Sequence, residues 1–193
     1  MMFYRFIRAL IRFFYRILFR IKAEGLEHIP QEGGVLLCSN HISNLDPPMV
    51  GILIKRQVRF MAKEELFHAP VLGPIIARLG AFPVKRGGIS KESIRTALTI
   101  LREGGIMGIF PEGTRNSQAA AAKRGAATFA LRSDAAVIPA AIIGNYKLFR
   151  TTKVVYGPPV DLSAYKGKDA TGTAEEATEK IMEAIRKIIR ENQ

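Results

Sequence analysis

The sequence predicts an α/β domain. After Gly25, short apolar runs rich in Val and Ile alternate with helix-like segments, which is the pattern of strands crossed by helices. The 193 residues are enough to bury one core and too few for two full domains. With 48% apolar and 24% charged residues, the chain has ordinary globular composition.

Before that domain comes MMFYRFIRALIRFFYRILFRIK, residues 1–22, where Arg5, Arg8, Arg12, Arg16 and Arg20 recur every three or four positions. At about 100° per residue they form one basic stripe on a helix whose remaining surface is Phe, Tyr, Ile and Leu. Such a helix is about 33 Å long, nominally enough to cross a bilayer. Each arginine near the bilayer centre would cost about 2.5–3.5 kcal/mol, so lying in the interface is favoured over spanning. There the guanidinium groups meet lipid phosphates while the apolar arc sinks among acyl chains.

A secretory signal is excluded because uncharged stretches within this segment after Arg8 reach only three residues. A transit peptide fits poorly, since no Ser or Thr precedes Ser39. The alternative is a helix that docks on the protein's own core, but its aromatic-rich arc is wide for one core-facing stripe. The expectation is therefore a membrane-interface helix over residues 1–22, followed by the α/β domain over residues 23–193. The protein would sit peripherally or monotopically on the cytoplasmic face of the cell membrane.

Candidate strands follow at Val35–Ser39, Val58–Ala62, Ala81–Val84, Ile106–Phe110, Ala136–Ile143 and Lys153–Tyr156. Helices are expected at Pro48–Lys55, Ser90–Glu103 and Gly125–Arg132, while Pro70, Gly73 and Pro74 break the stretch from Glu64 to Leu79 into shorter turns. Near the C terminus, Thr173 and Glu176 have capping-box spacing, and Ile181, Ala184, Ile185 and Ile188 share one helical face. No apolar run is long enough for a transmembrane segment.

A net charge of +12 calls for an anionic partner: nucleic acid, an anionic membrane, or a phosphorylated or CoA-linked molecule. Six basic residues and no acid lie within residues 1–22, so half of the excess sits on one short segment. Nucleic-acid readers interleave exposed aromatics with basic residues on a folded platform, and here that combination is confined chiefly to one helix. The single cysteine, Cys38, excludes an intramolecular disulfide and a multi-Cys zinc site. As the tail of the apolar run VLLC it is expected to be packing and not a nucleophile. His28 and His68 lack metal-ligand spacing, and no metal is expected.

Chemistry concentrates in CSNHISNLDPP, which follows a strand and ends in Pro47 and Pro48. His41 and Asp46 thus sit on a turn at a strand's C-terminal edge, where α/β proteins place their sites. A carboxylate bonded to one imidazole nitrogen fixes the tautomer and leaves the other nitrogen to accept a proton from a hydroxyl. With no Ser in an elbow motif nearby, that hydroxyl would belong to a substrate. Alternatively, the two side chains only satisfy each other in a turn.

Three further segments bear on this choice. In GIFPEGTRN a strand runs into Pro111, Glu112, Gly113, Thr114 and Arg115, a turn whose glycine, hydroxyl and guanidinium suit a phosphate. GAFPVKRGG delivers Lys85 and Arg86 beside a glycine pair, either as another anion site or as a solvated turn. AAVIPAAIIGN is core or an acyl-chain wall. The Lys123-Arg124-Gly125 trio is a turn or an extra phosphate contact.

The order and spacing of these segments resemble the glycerolipid acyltransferases. Asn40 to Asp46 resembles their NHxSxxD block, Phe110 to Arg115 their FPEGTR block, Gly80 to Arg86 their second block, and Val137-Ile138-Pro139 their fourth. The group most similar in kind is the small bacterial 1-acylglycerol-3-phosphate, or lysophosphatidic acid, acyltransferases. The resemblance implies a single domain with a mostly mixed central sheet flanked by helices. It also implies acyl transfer from acyl-CoA or acyl-acyl-carrier protein to a lysophospholipid hydroxyl, with no covalent enzyme intermediate, metal or cofactor. His41 would be the base and Asp46 its orienting partner. Arg86, Glu112, Gly113, Thr114 and Arg115 would form the acceptor-phosphate site. Lys85 departs from the family pattern, where many members carry an acid before the arginine, and it would add phosphate affinity or alter acceptor choice. The oxyanion donor stays open among Lys63, Lys85 and a backbone N–H near Gly113. Rival readings are the same chemistry on glycerol 3-phosphate or another lysophospholipid, and a noncatalytic basic membrane-binding module.

Overall fold

The arginine-striped opening folds into helix α1 (Met2–Phe19), which stops where Arg20 adopts a left-handed φ of 42°. The structure is a computed structural model of the chain that describes residues 2–84, 90–112, 119–166 and 171–193, with residues 119–124 and 171–172 described by backbone alone. Onward from α1 the elements are β1 (Lys22–Glu24), β2 (Val35–Ser39), α2 (Asp46–Gly51), β3 (Val58–Lys63), α3 (Glu64–Phe67), α4 (Leu72–Arg78) and β4 (Phe82–Val84). The remainder comprises α5 (Lys91–Arg102), β5 (Ile106–Ile109), α6 (Ala119–Arg132), β6 (Ala136–Ile143), β7 (Lys153–Tyr156) and α7 (Thr171–Glu191).

Among the described residues one sheet of seven strands runs in the order β1-β7-β6-β2-β5-β3-β4. Strands β6, β2, β5, β3 and β4 are mutually parallel, β7 is antiparallel to β6, and β1 is parallel to β7. The sheet is therefore mixed, as the resemblance implies. Every residue of the central β2 is buried, because both faces of the sheet are covered.

Alternation along the strands sorts the core into two layers. Leu36, Cys38, Met107, Ile109 and Val137 pack against Leu98 and Leu101 of α5, Phe129 of α6, and Ile181 and Ile185 of α7. On the opposite face, Val35, Leu37, Ile106, Ile138 and Ala140 pack against Met49 and Val50 of α2 and against Tyr15 and Phe19 of α1. Pro139 survives inside the sheet because its carbonyl accepts from Gly157 N–H at 2.8 Å just beyond the end of the β6–β7 ladder. Its missing N–H faces the same side, at the end of that ladder, so the pairing with β2 on the other side is intact.

Helix α1 has two apolar sides. Ile11, Tyr15, Leu18 and Phe19 join the core, while Met2, Phe6, Leu10, Phe13 and Ile17, spaced three and four residues apart, form an exposed arc. The arginines lie along one seam between them. Arg8 is tied to the body, donating to the carbonyls of Ile54 at 2.7 Å and Lys55 at 2.6 Å. No described helix is long and apolar enough to cross a membrane.

Several local expectations need correction. Asp46 closes the turn from Ser43 and is also the first residue of α2, so the helix starts before Pro48, and it ends at Gly51, short of Lys55. Thr173 lies within α7, which begins at Thr171, so it does not cap that helix. The three-residue β1 had no periodic signal, since only Ala23 of its Lys-Ala-Glu sequence turns partly inward on this edge strand.

Candidate active site

The site begins where β2 ends. Beyond the last β2–β6 pair, Ser39 opposite Ala140, the Asn40 side chain continues the pairing. Its Oδ1 accepts from Ile142 N–H at 2.8 Å and its Nδ2 donates to Ile142 O at 3.1 Å. This anchors the chain so that His41 emerges at a fixed point on the C-terminal edge of the sheet. A tight turn follows: Ser43 O accepts from Asp46 N–H at 3.1 Å and Ser43 Oγ accepts from Leu45 N–H at 3.2 Å. Pro47 and Pro48 occupy the first turn of α2, where a missing N–H costs little.

Asp46 is fully buried and gathers donors from every side. Its Oδ2 accepts from His41 Nδ1 at 2.6 Å, from Ile42 N–H at 2.6 Å and from Ser43 N–H at 2.7 Å. Its Oδ1 accepts from the Tyr146 hydroxyl at 2.6 Å. With two backbone N–H groups already donating to Oδ2, that oxygen serves as an acceptor, and the matching tautomer of His41 carries its proton on Nδ1 and a lone pair on Nε2. The side chain of His41 keeps 17% of its surface exposed, enough to meet a substrate.

The imidazole also has a floor. Phe110 stacks on His41 with centroids 4.3 Å apart and planes 18° from parallel, and Phe60 lies beneath Phe110 at 6.0 Å and 14°. Room for Phe60 comes from Gly108, directly opposite it in the β3–β5 register; a Cβ there would fall 2.1 Å from the Phe60 ring. Ile42 and Leu45, exposed apolar residues on the turn, border the dyad.

Behind the dyad lies α1. Phe19 meets the Tyr146 ring edge-on at 5.4 Å, and Tyr15 meets Phe19 at 5.4 Å. Burial, with the Asp46 charge as a second cause, pushes the Tyr15 phenol up to about 12. Burial chiefly, then the hydrogen bond to Asp46, raises Tyr146 further, so both phenols stay protonated at ordinary pH.

The expected pair is therefore assembled. Glu112 is exposed on the turn that follows Phe110, while Lys85, Arg86, Gly113, Thr114 and Arg115 lie outside the described residues. Because β2, β5 and β4 are parallel, the chain leaves Ser39, Ile109 and Val84 at one edge of the sheet. Lys63 stands exposed at the same edge, at the end of β3. The Lys123 and Arg124 side chains are outside the described residues.

Cys38 is fully buried in the opposite layer, and burial raises its thiol well above the usual range, which excludes a thiolate nucleophile. His28 pairs through Nδ1 with Tyr156 O at 2.8 Å, a structural contact. Among the described residues no group of three or more His, Cys, Asp or Glu is placed to hold a metal. The sequence reading missed Tyr146, Tyr15 and the stacking role of Phe110. Only Phe110 carried a local signal, as the first residue of FPEGTR.

Comparison with known proteins gives the same direction. The profile of the Acyltransferase family matches residues 20–143. A Bacillus subtilis 1-acyl-sn-glycerol-3-phosphate acyltransferase is 35% identical over 146 residues, covering 72% of this chain and 73% of the relative. The chloroplastic 1-acyl-sn-glycerol-3-phosphate acyltransferase LPAT1 of Arabidopsis thaliana is 27% identical over 182 residues, and the match spans 49% of its length. The crystal structure of the 1-acyl-sn-glycerophosphate acyltransferase PlsC from Thermotoga maritima shares the fold, with a TM-score of 0.67 over 90% of this chain and 72% of that one at 22% identity.

Proposed function

The chain belongs to the acyltransferase family, and from that premise we propose that it transfers a fatty acyl group from acyl-CoA or acyl-acyl-carrier protein to the free hydroxyl of 1-acyl-sn-glycerol 3-phosphate, giving phosphatidic acid. The observation that carries the mechanism is the 2.6 Å contact between His41 Nδ1 and the fully buried Asp46. Names of relatives at 35% and 27% identity support the acceptor.

In this mechanism His41 Nε2 takes the proton from the acceptor hydroxyl as its oxygen attacks the thioester carbonyl carbon. Asp46 stabilises the imidazolium that forms. The tetrahedral intermediate then collapses, the C–S bond breaks, and the departing sulfur takes the proton from His41. The products are an ester and a free thiol, and the reaction uses no metal or cofactor beyond the acyl donor. Lys85, Arg86, Glu112, Gly113, Thr114 and Arg115 hold the acceptor phosphate in this reading, supported by their place in the family blocks. Holding the acceptor converts a two-body encounter into an oriented one.

The exposed arc of α1 (Met2, Phe6, Leu10, Phe13 and Ile17) sits in the lipid interface on the cytoplasmic face, with the exposed Arg5 and Arg16 toward lipid phosphates. That places the dyad beside a membrane-dissolved substrate.

The test is purified protein with labelled acyl-CoA or acyl-carrier protein and a panel of lyso-acceptors, with His41→Ala alongside. The expected result is product with lysophosphatidic acid and a loss of about a hundredfold or more in the variant. Full activity in His41→Ala would refute the mechanism, and product only from glycerol 3-phosphate or another lysophospholipid would replace the acceptor.

A further inference from the structure

We propose that Tyr146 is a second positioning residue of the dyad: its hydroxyl, bonded to Asp46 Oδ1 at 2.6 Å, anchors the carboxylate that orients His41 from outside the turn and sets how strongly that carboxylate holds the imidazole. This rests on the acyl-transfer reading above.

The two carboxylate oxygens are treated differently. Oδ2 takes the imidazole and two backbone N–H groups, all from the short segment His41 to Ser43. Those three donors tie the carboxylate to its own turn. Among the described residues the Tyr146 hydroxyl is the donor at Oδ1, and it comes from a hundred residues away in sequence. The bond to Oδ1 ties the carboxylate to the segment after β6 as well, and it draws negative charge onto the oxygen away from the imidazole. Because Asp46 is fully buried, bulk water does not reach Oδ1 to substitute for the phenol.

The tyrosine is itself held. Gly144, with φ of 98°, turns the chain sharply after β6, and Phe19 of α1 clamps the Tyr146 ring edge-on. The titratable groups facing Asp46 are His41 from the turn, Tyr146 from the segment after β6 and Tyr15 from α1. With its ionisation pushed up, first by burial and then by the Asp46 bond, Tyr146 is a proton donor to the carboxylate at any pH where His41 works. The effect passes through Asp46, so it belongs to the chemical step and not to substrate binding.

The experiment compares wild type with Tyr146→Phe, which keeps the ring against Phe19 and removes the hydroxyl alone. In the acyl-transfer assay kcat is expected to fall about ten- to a hundredfold, the range outer-shell partners supply at other sites, with KM for donor and acceptor unchanged. A carboxylate short of one donor holds the imidazolium proton more tightly, so the acid limb of the kcat–pH profile moves to higher pH. In an Asp46→Asn background the same change costs much less, because the hydroxyl no longer has a carboxylate to hold. Incorporating 3-fluorotyrosine at position 146, which keeps ring and hydroxyl but strengthens the donor, moves the acid limb the opposite way and reads the bond even where Tyr146→Phe folds poorly. Wild-type kcat and pH profile in both altered proteins would overturn the proposal, as would a loss carried entirely by KM. An inactive wild type would instead overturn the acyl-transfer reading, so the two failures are distinct.

Discussion

Phe110 lies flat on the imidazole of His41, 4.3 Å between centroids, and so joins the turn after β2 to the turn after β5. The imidazole is held from two directions: Asp46 fixes its edge and Phe110 its face. Phe110 in turn rests on Phe60, which fits only because residue 108 has no side chain.

Gly108→Ala tests that column. The added methyl meets the middle of a packed aromatic ring, so stability falls by about 1–3 kcal/mol in denaturant unfolding. Displacing Phe60 also tilts Phe110, and kcat falls with it. Adding Phe60→Leu makes room and restores most of the lost stability; no restoration would mean that the strain lies elsewhere.

Asp46→Asn is expected to lose at least a hundredfold in kcat, since the amide does not stabilise the imidazolium and permits the wrong tautomer. The variant is also less stable, because the N–H groups of Ile42 and Ser43 lose a charged acceptor. Thermal unfolding together with kcat checks both effects.

For membrane contact the exposed arc and the docked strip of α1 are separable. Phe6, Phe13 and Ile17 changed together to Gln leave the core untouched, so the folded protein moves from the membrane pellet to the supernatant with its melting temperature unchanged. Phe19→Ala acts oppositely, costing about 3–5 kcal/mol of stability as a buried ring is lost. Deleting residues 1–22 removes both surfaces at once. The triple variant is the sharper test, and its retention in the pellet would refute the lipid contact.

Alkaline pH gives another check. Tyr4, Tyr15, Tyr146 and Tyr156 all have phenols raised above 10.0, with burial the first cause in each. Between the unfolded value near 10.0 and the folded value of about 12 for Tyr15, the unfolded chain releases protons that the folded chain keeps. Stability therefore is intact below pH 10 and falls as pH rises through that window. Phenolate absorbance in the native protein lags behind that of the denatured chain over the same range; coincident titrations would contradict it.

The dyad was legible because both members lie in one seven-residue stretch whose turn brings them together. Tyr146 was not, since nothing in a sequence pairs residues a hundred positions apart, which meet only because the parallel strands β2 and β6 end at the same edge of the sheet. The buried strands from Val35, Ile106 and Ala136 announced themselves as apolar runs, whereas β1 is a short edge whose pairing with β7 replaces any pattern of its own. The start of α2 was placed two residues late because Asp46 was read as a turn residue, although the prolines after it suit a helix's first turn. Helix α1 showed a single wide apolar arc in sequence; only packing divides it into a docked side and an open one.

That division gives α1 a double duty. The aromatic edge formed by Tyr15 and Phe19 closes the rear wall of the His41–Asp46 pair, while the other side of the same rod faces outward. With the outward side in the proposed lipid contact, a nick by a protease or a harsh detergent that peels the rod away would disarm the enzyme as it sets it adrift. Stray copies in the bulk phase would then squander no activated acyl groups.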